Sequence, residues 1–170
     1  MDTKKIAKMS MLLAISVVLS LIESLIPIFN GIVPGIKLGL ANTVVLFALY
    51  MFSFKDAIYL SLMRVFLIGI LRTGVFSITF FFSLSGGLLS VITMYLVKNY
   101  TKLSIVGVSI VGAISHSVGQ IIIAILFLSN VNIVYYLPIL LISSIVTGII
   151  VGMCVKRVLK YYSKTTLDNI

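Results

Sequence analysis

Apolar residues run through this chain in stretches long enough to cross a lipid bilayer, and that limits it to very few folds. A spanning helix needs about 20 mostly apolar residues, because the hydrocarbon core is about 30 Å thick and a helix rises about 1.5 Å per residue. Six such stretches can be laid out, at about 6–26, 38–54, 57–71, 76–97, 105–128 and 134–155. The third is short and contains Arg64. Backbone groups in hydrocarbon must be satisfied internally, so helices of this kind pack as a bundle. The expectation is an all-α integral membrane protein, one domain over 1–170, built of six transmembrane helices. Composition agrees. Hydrophobic residues make up 61% of the chain and charged ones 10%, against about 25% charged in a soluble domain.

The charges report orientation. Lys4, Lys5, Lys8, Lys55, Lys98, Lys102, Lys156, Arg157, Lys160 and Lys164 collect at one side of the six-span arrangement. Only Lys37 and Arg72 fall on the other. Basic loops stay in the cytoplasm, so both termini are expected there. The same placement removes nucleic acid as a partner, since the net charge of +9 lies at the ends of apolar runs and not along a face. The basic-then-apolar start lacks a small-x-small cleavage signal after it, so it reads as a retained first helix. The single cysteine, Cys154, excludes an internal disulfide and a cysteine metal cluster, and reads as a membrane-buried small residue.

Residues 27–42, PIFNGIVPGIKLGLAN, interrupt the pattern. Pro27 and Pro34 remove backbone donors and bias the preceding residue away from helix. Gly31, Gly35 and Gly39 permit tight turns and close backbone approach. Irregular backbone this apolar belongs where protein buries it or where it lines a cavity. It is expected on the outer side, as the lid or lining of a ligand pocket.

Ionisable groups within a membrane are costly and point to function. Counting helix rise from the cytoplasmic ends puts Glu23, Lys37, Asn42, Arg64, Arg72, His116 and Gln120 between the mid-plane and the outer surface. This distribution predicts an outward-facing polar pocket closed toward the cytoplasm by apolar packing. Its lining is mostly cationic, and arginine suits bidentate binding of phosphate or carboxylate. An anionic ligand follows, with Lys37, Asn42, Arg64, Arg72, His116 and Gln120 in contact and Glu23 orienting a cation. Blander readings stand beside this. Arg72 can snorkel to the interface, Arg64 can pair with Glu23, Asn42 can cap the second helix, and His116 and Gln120 can join helices. Enzyme chemistry is not expected. The only carboxylates are Asp2, Glu23, Asp56 and Asp168, with no magnesium cluster, zinc set or Gly-Lys-Ser/Thr phosphate loop. No cofactor is called for.

Small residues recur every three or four positions. They are Ser16, Ser20 and Ser24 on the first helix, Gly112, Ser115 and Gly119 on the fifth, and Ser144, Gly148 and Gly152 on the sixth. Such stripes let helices approach closely. They serve either packing inside the bundle or, for one of them, docking of a second membrane subunit. Gly86–Gly87 in SLSGG marks a kink or a close contact on the fourth helix.

The segments IPIFNGIVPGIKLGLANTVVLFALYMF, LMRVFLIGIL, FSLSGGLLS and GVSIVGAISHSVGQ resemble the Gx transporter family, whose members are often labelled heptaprenyl diphosphate synthase component I. The resemblance covers 6–155, and PGIKLGLAN with SLSGG and SHSVGQ is its most specific part. That family is similar in turn to the S components of energy-coupling-factor transporters. The resemblance implies six helices, an outward pocket and a first outer loop over the ligand. It also implies a partner membrane subunit driven by ATPases, in a bacterial cell membrane. It suggests uptake of a small anionic or amphipathic molecule of vitamin, flavin, quinone or isoprenoid type. A membrane scaffold in a prenyl-lipid, quinone or extracellular electron-transfer assembly is the alternative. A component of a heptaprenyl diphosphate synthase is the third reading, and the lack of aspartate-rich sites argues against catalysis by this chain.

Overall fold

Serines in the sequence set where three of the helices begin. The computed structural model describes residues 3–25 and 40–167, and among these every regular element is helical. Helix α1 covers Thr3–Leu25, α2 Asn42–Met51, α3 Phe54–Ile68, α4 Ile78–Tyr100, α5 Ile105–Leu128 and α6 Leu137–Leu167. A π-helical turn, Gly69–Thr73, extends α3, and a 3₁₀ turn, Val131–Tyr136, leads into α6. Ser53 and Asp56 form a reciprocal capping box at the start of α3, satisfying backbone N–H groups that have no partner within the helix. Ser77 and Ser104 accept from Phe80 N–H and Gly107 N–H at the starts of α4 and α5. Ser129 ends α5 in the left-handed conformation, φ 48°.

Six helices are present, as the sequence indicates, but they are not six equal spans. Among the described residues, four stretches are long and apolar enough to cross a membrane: Thr3–Glu23, Ile78–Tyr100, Ile105–Leu128 and Val131–Tyr162. The expected second span, 38–54, corresponds to a helix of only ten residues, about 15 Å long. Helix α3 has fifteen residues and carries Lys55, Asp56 and Arg64. Helix α6 runs to Leu167, well beyond the expected end at 155. Residues 27–39, the interrupting stretch up to the start of α2, lie outside the described residues.

Helix α2 is short, but it is central. It packs against α1, α3, α4 and α6. Val45, Leu46, Ala48 and Leu49 are fully buried and form the main apolar core with Ala57, Leu60, Val91, Met94, Val108 and Val155. The basic ends of the helices meet on the same side as this core. Lys5 pairs with Asp56 at 2.7 Å, and Lys8 donates to Tyr162 Oη at 2.9 Å. Lys98 Nζ donates to the Leu49 carbonyl at 2.8 Å and lies over the Tyr50 ring. That places a cation at the C-terminus of α2, where the helix dipole favours it. A smaller apolar cluster of Phe82, Ile121, Ala124, Ile133 and Leu140 closes the opposite end between α4, α5 and α6.

The small-residue stripes face inward. A Cβ on Gly119 would lie 3.0 Å from Gly86 Cα. One on Gly148 would lie 2.8 Å from Ile110 Cα, and one on Gly152 2.7 Å from Val106 Cα. Backbone therefore meets backbone at the α4–α5 and α5–α6 crossings. Hydroxyls join the same helices. Ser85 donates to the Gly119 carbonyl at 2.9 Å. Ser144 donates to the Leu140 carbonyl, so Ser117 donates to Ser144 across 2.6 Å. Ser16 and Ser20 are also buried. Burial of these two serines favours packing inside the bundle. Cys154 lies on the outer flank of α6, within the apolar stretch Val131–Tyr162.

Gly148→Val forces α5 and α6 apart. It is expected to destabilise the chain by about 1–3 kcal/mol, the usual cost of overpacking, read as a lower thermal midpoint in detergent. At Gly107 a Cβ meets only the flexible Leu103 side chain, and Gly107→Ala is expected to stay within about 0.5 kcal/mol. Equal losses would contradict this account of the crossings.

Candidate functional site

The truncation of α2 sets the site. Counted from the basic end, Asn42 lies nine residues along α2, Arg64 ten along α3 and His116 eleven along α5. At about 1.5 Å per residue these positions share one level, about 14–17 Å deep. A helix N-terminus thus ends in the interior beside a buried arginine and the only histidine in the chain.

Arg64 is 5% exposed. Its Nη1 donates to Asn42 Oδ1 at 3.2 Å, and Asn42 Nδ2 reaches Ser90 Oγ at 3.5 Å. The first turn of α2 is tied in this way to α3 and α4. Ala41, not Asn42, occupies the cap position, so the asparagine side chain is used for the arginine. Glu23, also buried, acts on Arg64 through space, while the arginine's hydrogen bond goes to Asn42. The attraction of Glu23 and the hydrogen bond to Asn42 act on the same guanidinium.

His116 and Gln120 stand one turn apart on α5 and are both buried. Gln120 Nε2 lies 3.2 Å from His116 Nε2. With the amide assigned in this orientation, its nitrogen can only donate, so the imidazole accepts at Nε2 and its neutral form carries the proton on Nδ1. Gln120 is 0% exposed, and its Oε1 accepts no hydrogen bond among the described residues.

A cleft of about 20 Å³, measured as space for the centre of a water, is lined by Ser20, Glu23, Ala41, Arg64, Ser83 and His116 with Val65 and Ile68. That is room for about one water molecule. Of the residues expected to bind ligand, Glu23, Arg64 and His116 meet in this cleft. Asn42 and Gln120 stand behind Arg64 and His116 as their hydrogen-bond partners. Arg72 sits exposed on the π-helical turn and does not line the cleft. Lys37 lies outside the described residues. Ser61, Ser83 and Ser90 are additions. Their signal was spacing: Ser61 precedes Arg64 by three residues, and Ser83, Gly87 and Ser90 fall at i, i+4 and i+7 on α4, one helical face.

The paired glycines make room for two different side chains. A Cβ on Gly86 would lie 2.8 Å from the His116 carbonyl oxygen and 2.9 Å from its Nδ1. A Cβ on Gly87 would lie 2.9 Å from Ser61 Oγ and 3.5 Å from Arg64 Nη2. The expected close contact at SLSGG is therefore the seating of the imidazole and the guanidinium.

Residues 12–158 match the family described as heptaprenyl diphosphate synthase component I. The chain belongs to this family, the Gx transporter family that its motifs resemble. The match spans every element of the cleft, from Ser20 to His116. With its four apolar, membrane-length helices, the chain is a membrane protein. No curated protein and no solved structure matches it.

Gly86→Ala is expected to displace the resonances of the lone histidine ring in NMR spectra of the detergent-solubilised protein. Gly87→Ala should leave them nearly in place, because it presses on Ser61 and Arg64 instead. Equal displacement by both variants would contradict the division of labour.

Proposed function

We propose that this chain is a substrate-binding subunit for uptake across a bacterial cell membrane, with six passes and both termini in the cytoplasm. Its ligand is a small anionic or amphipathic molecule. The observation that carries this reading is the convergence of two positive features at mid-depth. The buried Arg64 guanidinium and the N-terminal end of α2 border one cleft, and the N-terminal end of a helix bears partial positive charge. In low-dielectric surroundings such an arrangement favours an anion. The carboxylate of Glu23 offsets part of that charge and orients the guanidinium. Arg64 is the primary ligand contact, with His116 beside it and Asn42 and Gln120 holding the two in place. Lys37 and Arg72 serve on the outer side.

The reading places α2 as a half-span and α3 with its π-helical turn as a full but polar one. Twenty residues from Phe54 to Thr73 give about 30 Å, enough to cross. The concentration of lysine and arginine at one end supports the orientation. Lacking a nucleotide-binding motif of its own, the subunit works with a membrane partner and ATPases of the energy-coupling-factor kind. With four carboxylates scattered over 170 residues, it binds and does not catalyse. The family's description favours a second reading, a scaffold for a prenyl-lipid, quinone or electron-transfer assembly. Co-purification separates the two: ATPase subunits support uptake, and a prenyltransferase or redox protein supports the scaffold.

Thermal unfolding in detergent tests the anion seat with inorganic phosphate, diphosphate, succinate and flavin mononucleotide as probes. An anion present at a hundredfold excess over its Kd stabilises the folded chain by about 2.7 kcal/mol. At least one probe is expected to raise the midpoint of the parent chain and of Arg72→Met, but not that of Arg64→Met. A probe that stabilises Arg64→Met equally would refute the assignment.

A further inference from the structure

Helices α4 and α5 carry a groove on the side turned away from the polar cleft. It holds about 280 Å³, again as space for the centre of a water. Its walls are leucine and isoleucine, with Ile92 of α4 and Ile122 of α5 exposed at the rims. Its floor is Ser85 and Gly119, at the crossing of the two backbones. Ser85, Leu88 and Ile92 stand at i, i+3 and i+7, on one face of α4. That face lies about half a turn from the one that carries Ser83, Gly87 and Ser90. The Ser85 hydroxyl already donates to the Gly119 carbonyl, so the groove asks for no hydrogen bond. It offers nothing to hold water, and it fits hydrocarbon.

The same face runs on to the basic end of α4. Leu96 and Tyr100 follow Ile92 in steps of four residues, and both are exposed. By helix rise, Ile92 lies about 12 Å and Ser85 about 22 Å from Tyr100. The groove therefore crosses the mid-plane of a hydrocarbon core about 30 Å thick. The far part of an acyl chain rooted at the basic end lies at that depth. Residues 101–104 join α4 to α5 at this end, and Lys102 is exposed on them. Lys5, Lys8 and Lys98 are engaged within the chain. The Lys102 ammonium has no ion pair or hydrogen bond among the described residues. The N-terminal end of α5, capped by Ser104, adds partial positive charge beside it.

We propose that the α4–α5 face binds one anionic phospholipid, with its phosphate held by Lys102 and one acyl chain laid along Leu96 and Ile92 into the groove. A lysine near the membrane surface attracts an anionic headgroup. The notch at Gly119 gives a chain the close dispersion contact that a convex helix face lacks. Any lipid lines the outside of a bundle; groove and cation together make this position selective. The inference rests on the membrane placement of the chain and not on the anion seat at Arg64. A lipid on this open flank exchanges with detergent, so a molecule retained through purification reports the Arg64 cleft instead.

The chain has no tryptophan, so quenching of a single introduced indole by lipids brominated on their acyl chains reads the occupant. Leu96→Trp places the reporter beside the groove. Ile142→Trp, on the exposed flank of α6, samples lipid elsewhere. Each full-length variant is reconstituted in bilayers of phosphatidylcholine and phosphatidylglycerol, with one or the other brominated. At Leu96→Trp, phosphatidylglycerol is expected to bind about threefold or more above phosphatidylcholine; at Ile142→Trp the two bind equally. Adding Lys102→Gln, on an exposed connection, should bring the Leu96→Trp ratio to about one. Adding Leu88→Phe, which narrows the groove, should lower it about twofold. A ratio of one at Leu96→Trp alone, the same preference at Ile142→Trp, or a ratio unmoved by either substitution would overturn the proposal. So would a reporter at Leu96→Trp that neither lipid quenches, the mark of a second copy or another subunit on this face. Should Leu88→Phe fail to fold, Lys102→Gln decides. Phosphate, diphosphate, succinate and flavin play no part in this measurement, so the anion seat and the lipid site can fail separately.

Discussion

A guanidinium buried at mid-depth in an apolar bundle is the constraint on which the rest of the structure depends. Placing arginine at the centre of a membrane helix costs about 2.5–3.5 kcal/mol on insertion scales and more by other measures. The bundle keeps Arg64 there only because several neighbours accommodate it at once. Asn42 offers a carbonyl oxygen, Glu23 a carboxylate nearby, and Gly87 the space for the guanidinium. The first of these comes from the N-terminal turn of the short α2. Helix α2 begins at that depth and delivers its first turn to the arginine.

The distribution of polarity follows. Toward the basic end, α2 fills the centre with Val45, Leu46, Ala48 and Leu49, and the other helices close on it. Toward the opposite end, the Phe82–Ile121–Leu140 cluster seals α4, α5 and α6. The polar cleft lies between the two apolar masses, bordered by α1, α3, α4 and α5. Glycines and serines at the α4–α5 and α5–α6 crossings hold those helices close. This fixes the relative placement of His116 and the Arg64 seat beside Gly87.

Much of this arrangement was legible in the sequence, because hydrophobic run length and charge placement are strong signals in lipid. The six helices, the level shared by Arg64 and His116, and the importance of Gly86–Gly87 all follow from spacing. The half-length of α2 was not legible. Residues 38–54 are apolar enough to read as a span, and no side-chain cap marks the start of α2 at Asn42. Asn42 suggested a cap by its position, yet the arginine one helix away is the stronger partner. Arg72 and Arg64 look alike in sequence; their difference is that the π-helical turn carries Arg72 outward while α3 carries Arg64 inward. The serines of α3 and α4 were hidden because a hydroxyl in a membrane helix can always satisfy itself on its own backbone, as Ser83 does on the Thr79 carbonyl.

The central claim is that Arg64 holds an anionic group inside the bundle. Native mass spectrometry of the full chain, gently purified from its membrane, addresses it most directly. The account predicts one small anionic or amphipathic molecule retained per chain, present on the parent and lost from Arg64→Met prepared identically. A molecule retained by both proteins would contradict it.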